Sequence, residues 1–211
     1  WRVEAAEMYE YTPTTPGIQQ AVYEELQQME QIKPSLEALK HMGKRKKTIQ
    51  SANELHTLLM MEGDMTAQEI KAACTDEMDV KHAEGRIADW LHELTSQELI
   101  TYIEPGLWIA AEQREEYEQA LLEHKSEAGM HIIRRMLYYR QAQTLKQLQE
   151  RYLAQEEAVQ FWLQQLCWEK EVIQDGGCYY HSKQYERARK QTIRNLRIQA
   201  VTQPSHHYAA L

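Results

Sequence analysis

Phenylalanine occurs once in the 211-residue chain, glycine eight times and proline five times. So little turn material argues against an all-β sandwich or barrel, which needs a turn every 8–12 residues or so. Three cysteines, Cys74, Cys167 and Cys178, are an odd number at unrelated spacings. That excludes a disulfide framework or a zinc ribbon and leaves ordinary reduced thiols. No run approaches the roughly 20 apolar residues of a membrane span, and no apolar leader opens the chain. The expectation is a soluble, cytoplasmic protein with no membrane partner. The sequence opens at Trp1 without an initiating Met and stops at Leu211 inside a helical pattern, so it reads as a piece of a longer polypeptide.

Hydrophobic residues make up 43% and charged residues 27%, the composition of a folding chain and not of a disordered one. Helical periods dominate. Val3, Ala6 and Tyr9 suit one helix, which "TPTTPG" at 12–17 breaks. Ile18, Val22, Leu26 and Met29 form the stripe of a second. "KPSLEALKHMG" starts a short third helix with Pro34 in its first turn, and "KRKK" at 44–47 makes a basic linker.

From Ser51 a fixed order of elements begins. "SANELHTLLMMEG" turns Leu55, Leu58 and Leu59 inward and is stopped by "GD". Thr66 and Glu69 then form a capping box that opens the next helix. A third helix, Val80 to Leu94, places Ala83, Ile87, Ala88, Leu91 and Leu94 on one face with Trp90 beside them, and "LITYI" and "LWIAA" follow as strands around "EPG". Three helices and a two-stranded hairpin predict a winged helix.

The order then repeats. "GMHIIRRMLYYRQ", "TLKQLQERYL" capped at Thr144, and "AQEEAVQFWLQQLCWEKE" are three more helices, and "VIQDGGCYYHS" is a hairpin about Asp175, Gly176 and Gly177. Both third helices carry "WL-x-x-L", at Trp90-Leu91-Leu94 and Trp162-Leu163-Leu166. The predicted fold is mainly α with small β-wings, as tandem winged-helix domains. Its parts are a helical segment with basic linker at 1–50, a first winged helix at 51–111 and a polar connecting helix at 112–127. A second winged helix follows at 128–182, and 183–211 holds a basic helix and the start of the next segment.

Charge is distributed unevenly. The chain carries a formal charge of −8, yet Lys183, Arg187, Arg189, Lys190, Arg194 and Arg197 face only Glu186 in the last helix. Arg187, Lys190, Arg194 and Arg197 fall near one face, a strip that could neutralise phosphates locally on an acidic protein. The competing reading is a solvated helix paired with the acidic residues Glu112 to Glu123. Lys44, Arg45, Lys46 and Lys47 could add electrostatic affinity without reading sequence, or serve as a solvated linker. The third helices, where a winged helix usually reads DNA, offer Lys81, His82, Glu84, Arg86 and Asp89 in one unit and Glu156, Glu157, Gln160 and Gln164 in the other. Acidic leading ends repel phosphates, so the second unit reads as a packing module. Cys178 with His181, and "SHH" at 205–207, fall short of the four ligands of a structural zinc site and of a Ser-His-Asp triad, so they read as neither. Trp90, Trp162 and Trp168 read as core residues.

Three strings carry a family resemblance: "GLWIAAEQREEYEQAL", "DGGCYY" and "KQTIRNLRIQAVTQPSHHYAAL". Trp108 to Glu112 with Tyr117, and Thr192, Ile193, Leu196 and Arg197 with the segment to Pro204, resemble the C-terminal region of the large helicase-related (Lhr) proteins, from about Ser51 onward. That family is one of DEAD/DEAH-box ATP-dependent helicases linked to DNA repair, with tandem winged helices in long C-terminal extensions. The resemblance implies an accessory nucleic-acid-binding region whose partners are DNA, single-stranded or duplex, and the remaining domains of a parent helicase. ATP and Mg²⁺ would belong to the parent's motor. This chain has no G-x-x-x-x-G-K-[ST] loop, and "GKRKKT" at 43–48 lacks the upstream glycine that lets backbone N–H groups cradle phosphate. No catalytic, cofactor or metal residue is carried over from the family. The expectation is no enzyme in this chain and a helicase in the parent. Two other readings stand beside it: a non-catalytic scaffold packing on the helicase core, and part of a glycosylase-like module acting on a flipped base.

Overall fold

A computed structural model describes residues 31–42, 48–74, 80–104 and 106–201. The helices expected at 2–11 and 18–29, and the basic linker Lys44–Lys47, lie outside the described residues. Nine α-helices and two three-stranded antiparallel sheets are present among those described. No helix among them is long and apolar enough to cross a membrane.

The first helix, α1 (Leu36–His41), is capped by the Ser35 side chain, which accepts from the Ala38 N–H. Pro34 therefore stands before the cap and not in the first turn, because Ser35 offers the hydroxyl that the open N–H groups need. Two copies of one pattern follow. The first comprises α2 (Ala52–Glu62), β1 (Met65–Thr66), α3 (Ala67–Cys74), α4 (Val80–Ser96), β2 (Ile100–Ile103) and β3 (Leu107–Ala110). A short 3₁₀ turn at Ala111–Gln113 and α5 (Arg114–Leu121) lead into the second copy. That copy comprises α6 (Ser126–Tyr139), β4 (Gln143–Thr144), α7 (Leu145–Tyr152), α8 (Glu156–Trp168), β5 (Val172–Asp175) and β6 (Cys178–His181), and α9 (Ser182–Val201) ends the described chain.

The internal repeat holds down to its hydrogen bonds. The sheets are ordered β1-β3-β2 and β4-β6-β5, each with a two-residue strand paired to the second hairpin strand. Both short strands run into a capping box. The Glu69 side chain accepts from the Thr66 N–H at 2.8 Å while Thr66 Oγ1 accepts from the Glu69 N–H, and Thr144 and Gln147 exchange the same pair. Both third helices end on a left-handed non-glycine residue, Glu98 (φ 58°) and Lys170 (φ 60°). The next N–H groups, of Leu99 and Glu171, then bond back to Leu94 and Leu166. The second hairpin turns through Gly176 and Gly177 at φ 58° and 79°, which is why two glycines stand there.

Two cores form. One gathers Leu55, Leu59, Ile70, Ala83, Ile87 and Leu94. The other gathers Ile132, Ile133, Met136, Leu148, Trp162 and Leu163. Strand β3 serves both, since Ala110 with Trp108 joins the first core while Leu107 and Ile109 join the second. The two repeats are thus fused through opposite faces of one strand.

Three expectations change. Ala88 is exposed and not inward, since it lies off the arc set by Ala83, Ile87 and Leu94. The connecting helix expected at 112–127 is not polar all round, because Tyr117 and Ala120 are buried in the second core. Trp168 is 84% exposed. On α8 the buried residues Val159, Trp162, Leu163 and Leu166 share one arc, and Trp168 projects about half a turn away from it.

Candidate nucleic-acid interface

A helix follows each hairpin in chain order, but the two carry opposite charge. After the first hairpin comes α5, with Glu115, Glu116 and Glu118, packed against α6. Glu116 binds His131 and Arg135, and Glu118 binds Arg114. After the second comes α9, whose Tyr185, Ala188 and Thr192 are buried against the hairpin and α1. Residues 183, 187, 190, 194 and 197 then fall in an arc of about 80° on the opposite side of the helix.

All five cations of that arc, Lys183, Arg187, Lys190, Arg194 and Arg197, are exposed. Lys190, Arg194 and Arg197 line one shallow groove with Ile193 and Ile198. The structure thus brings Arg187, Lys190, Arg194 and Arg197 together, and adds Lys183. Arg189 falls off the arc and pairs with Glu186 at 3.2 Å. Among the described residues no carboxylate pairs with Lys183, Arg187, Lys190 or Arg194, and the expected pairing with Glu112 to Glu123 is not formed. Of that acidic segment, Glu116 pairs with His131 and Arg135 on α6 while Glu118 pairs with Arg114 inside α5. Fourteen residues of helix separate Lys183 from Arg197, about 21 Å along the axis, long enough to meet several phosphates.

The neighbouring elements hold α9 in place. Asp175, at the hairpin tip, accepts from Tyr185 Oη at 2.8 Å and from Lys33 Nζ at 2.6 Å. The Asp175 carboxyl is held low by the Lys33 and Tyr185 bonds, and burial with Asp175 pushes the Tyr185 phenol up to about 12. Thr192 Oγ1 accepts from the Ser35 N–H at 2.8 Å, fastening α1 to the same helix. That bond joins residues 157 apart in sequence, and no local pattern announces it.

Two other described surfaces, the α5–α6 groove and the exposed face of α8, suit a polyanion poorly. The groove between α5 and α6 carries Glu112, Glu115, Glu116, Glu127 and Glu169 against Lys125 and Arg134. On α8, Glu156, Glu157, Gln160 and Gln164 are exposed, as the sequence suggested. Glu84 on α4 is occupied by Lys71.

Sequence reasoning missed a second constellation, buried where the repeats meet. Tyr117 Oη donates to Asp64 Oδ1 at 2.7 Å and accepts from the Asp64 N–H at 2.9 Å, and Tyr152 Oη donates to the same Oδ1 at 3.1 Å. The Arg151 guanidinium reaches Asp64 Oδ2 at 2.6 Å and grips Glu69 through two nitrogens at 2.9 and 2.8 Å. Arg140 bonds the Asp64 carbonyl and lies 3.3 Å from Glu69 Oε1. Burial pushes the Asp64 carboxyl up, but the fields of Arg151 and Arg140 with the Tyr117 and Arg151 bonds outweigh it, and the group sits below the ordinary range. Burial and the Asp64 charge push the Tyr117 and Tyr152 phenols up. Two carboxylates, each of whose oxygens accepts at least one hydrogen bond, meet two guanidiniums, which makes a fastening between repeats and not an acid or base poised for catalysis.

Gly63 makes room for this cluster. Its φ of 86° is left-handed, and a Cβ there would stand 2.8 Å from Arg135 Nε and 2.9 Å from Tyr117 Oη. The one sequence signal was the "GD" pair, which reads equally well as a helix stop. Among the described residues no group of three or more His, Cys, Asp or Glu could hold a metal ion. No family model matches the chain, and no curated protein matches it.

Proposed function

We propose that this chain is an accessory nucleic-acid-binding region of an Lhr-like ATP-dependent DNA helicase, built from tandem winged helices and gripping DNA through α9. The observation that carries the reading is the exposed row Arg187, Lys190, Arg194 and Arg197 on a helix otherwise pinned by Tyr185 and Thr192. A row of cations on a fixed scaffold releases counterions from phosphates without first ordering itself. The repeated order of three helices and a hairpin supports the winged-helix assignment. The acidic and glutamine-rich face of α8 disfavours the usual recognition helix, so the grip falls to the helix after the hairpin. ATP hydrolysis belongs to motor domains outside this sequence, which has no phosphate-cradling loop.

Fluorescence anisotropy with labelled generic DNA across a salt series tests the reading, beside a variant with Arg187, Lys190, Arg194 and Arg197 changed to Gln. The native chain binds with a steep salt dependence, and the variant's log–log slope is shallower by about 0.9 for each duplex phosphate it no longer neutralises. Absence of binding at low salt overturns the reading. The basic face would then pack on a neighbouring domain of the parent, as the scaffold alternative requires.

A further inference from the structure

Trp168 is 84% exposed, the most open large hydrophobic side chain among the described residues. Backbone bonds bring the chain that follows it to the start of the basic helix. Val172 pairs with His181, and the Ser182 N–H donates to the Glu171 carbonyl at 2.8 Å, so α9 begins beside the turn that follows Trp168. The Lys170 backbone at φ 60° makes that turn, and its side chain is exposed. Glu171 is engaged by Arg134 at 3.0 Å, and Lys183, the first cation of the α9 row, lies one residue past Ser182. The charges around this corner are therefore Arg134, Lys170 and Lys183 against Glu169 and Glu171, and beyond it the row continues with Arg187, Lys190, Arg194 and Arg197.

An indole left in water at one end of a cationic track has the form of a stacking platform. Phosphates held along a helix fix the strand, and an aromatic face takes whichever base is unstacked there, whatever its identity. A duplex keeps its bases paired and stacked and offers no such face, so the platform discriminates by strandedness and not by sequence. We infer that Trp168 stacks an unpaired base of a single strand whose backbone runs along the α9 cations, making the substrate class single-stranded nucleic acid or a duplex with a frayed end. This rests on the reading of α9 as a phosphate-binding helix.

The test measures the full chain, Trp168→Ala and Trp168→Phe against a labelled single strand of mixed sequence and the matching blunt duplex at one low salt concentration. Trp168→Ala binds the single strand about tenfold more weakly, the scale of one lost base stack, and binds the duplex unchanged. Trp168→Phe retains most of the affinity, and the fluorescence quenching of the native chain by the single strand is lost in the alanine variant. Single-strand binding unchanged in Trp168→Ala overturns the inference while salt-dependent binding of the native chain leaves the α9 reading standing. An equal loss for both substrates overturns it too, since it marks a structural or protein-docking role. No binding of either substrate by the native chain removes both.

Discussion

Asp64 and Arg151 stand 87 residues apart and meet across 2.6 Å, with only 1% and 13% of their side chains exposed. Asp64 follows α2 of the first repeat and Arg151 sits on α7 of the second, so the pair spans the seam that β3 also bridges. Removing the Asp64 charge leaves two buried guanidiniums, of Arg151 and Arg140, with Glu69 as their one remaining carboxylate. Asp64→Asn keeps the volume and removes the charge, and it should cost about 3–5 kcal/mol in a urea melt. A double variant, Asp64→Asn with Arg151→Met, should recover part of that loss. Additive losses would show that the pair is not coupled.

Acid should weaken the fold in two stages. The folded Asp64 and Glu69 carboxyls titrate below their ordinary range, so the unfolded chain binds protons first. Their contribution is complete above about pH 4–5 and is lost as pH falls through the folded values. His181 adds a shallower stage at higher pH. Burial holds its imidazole below the usual value despite Glu171, with Nδ1 accepting from the Lys183 N–H. The unfolded histidine takes its proton near pH 6.5 and the folded one later, so stability declines as pH falls below about 6.5. Urea midpoints from about pH 7.5 to 3 should show both slopes, and Asp64→Asn should flatten the lower one.

Two helical glycines should respond to alanine with opposite signs. A Cβ on Gly129 of α6 would stand 2.3 Å from the Trp162 ring, which is 1% exposed in the second core. Gly129→Ala must displace a packed indole and should cost at least about 1–3 kcal/mol. A Cβ on Gly85 of α4 would meet nothing within 4 Å. Gly85→Ala should gain about 0.5–1 kcal/mol from helix propensity alone. Thermal melts of the two variants check both signs.

How much the sequence reveals depends on how far each feature reaches along the chain. The repeats are legible because capping boxes and hairpin glycines act over three or four residues, as at Thr144–Gln147 and Gly176–Gly177. The α9 row is legible because helical period alone brings Arg187, Lys190, Arg194 and Arg197 together. Asp64 is not, since an aspartate after a helix is ordinary until tyrosines 53 and 88 residues away close over it. The shared strand is hidden for the same reason, because "LWIA" is apolar on both faces and only the second core explains why. Trp168 differs from these, since its hydrophobicity suggests the core while the arc of Val159, Trp162, Leu163 and Leu166 already excludes it.

The dock between α1 and α9 separates local from global stability. Thr192 Oγ1 accepts from the Ser35 N–H at 2.8 Å and donates to the Ala188 carbonyl at 3.0 Å, with Ala38 buried beside it. Thr192→Val keeps the shape but strands the Ser35 N–H, a loss of about 1–3 kcal/mol confined to that dock. Neither core includes Thr192 or α1, so the global urea midpoint should shift little. Amide exchange at Leu36–His41 should instead accelerate by about tenfold or more, the factor that each 1.4 kcal/mol gives. Unchanged exchange there would mean that Lys33 and Asp175 hold α1 on their own, and Lys33→Ala in the same background would then release it.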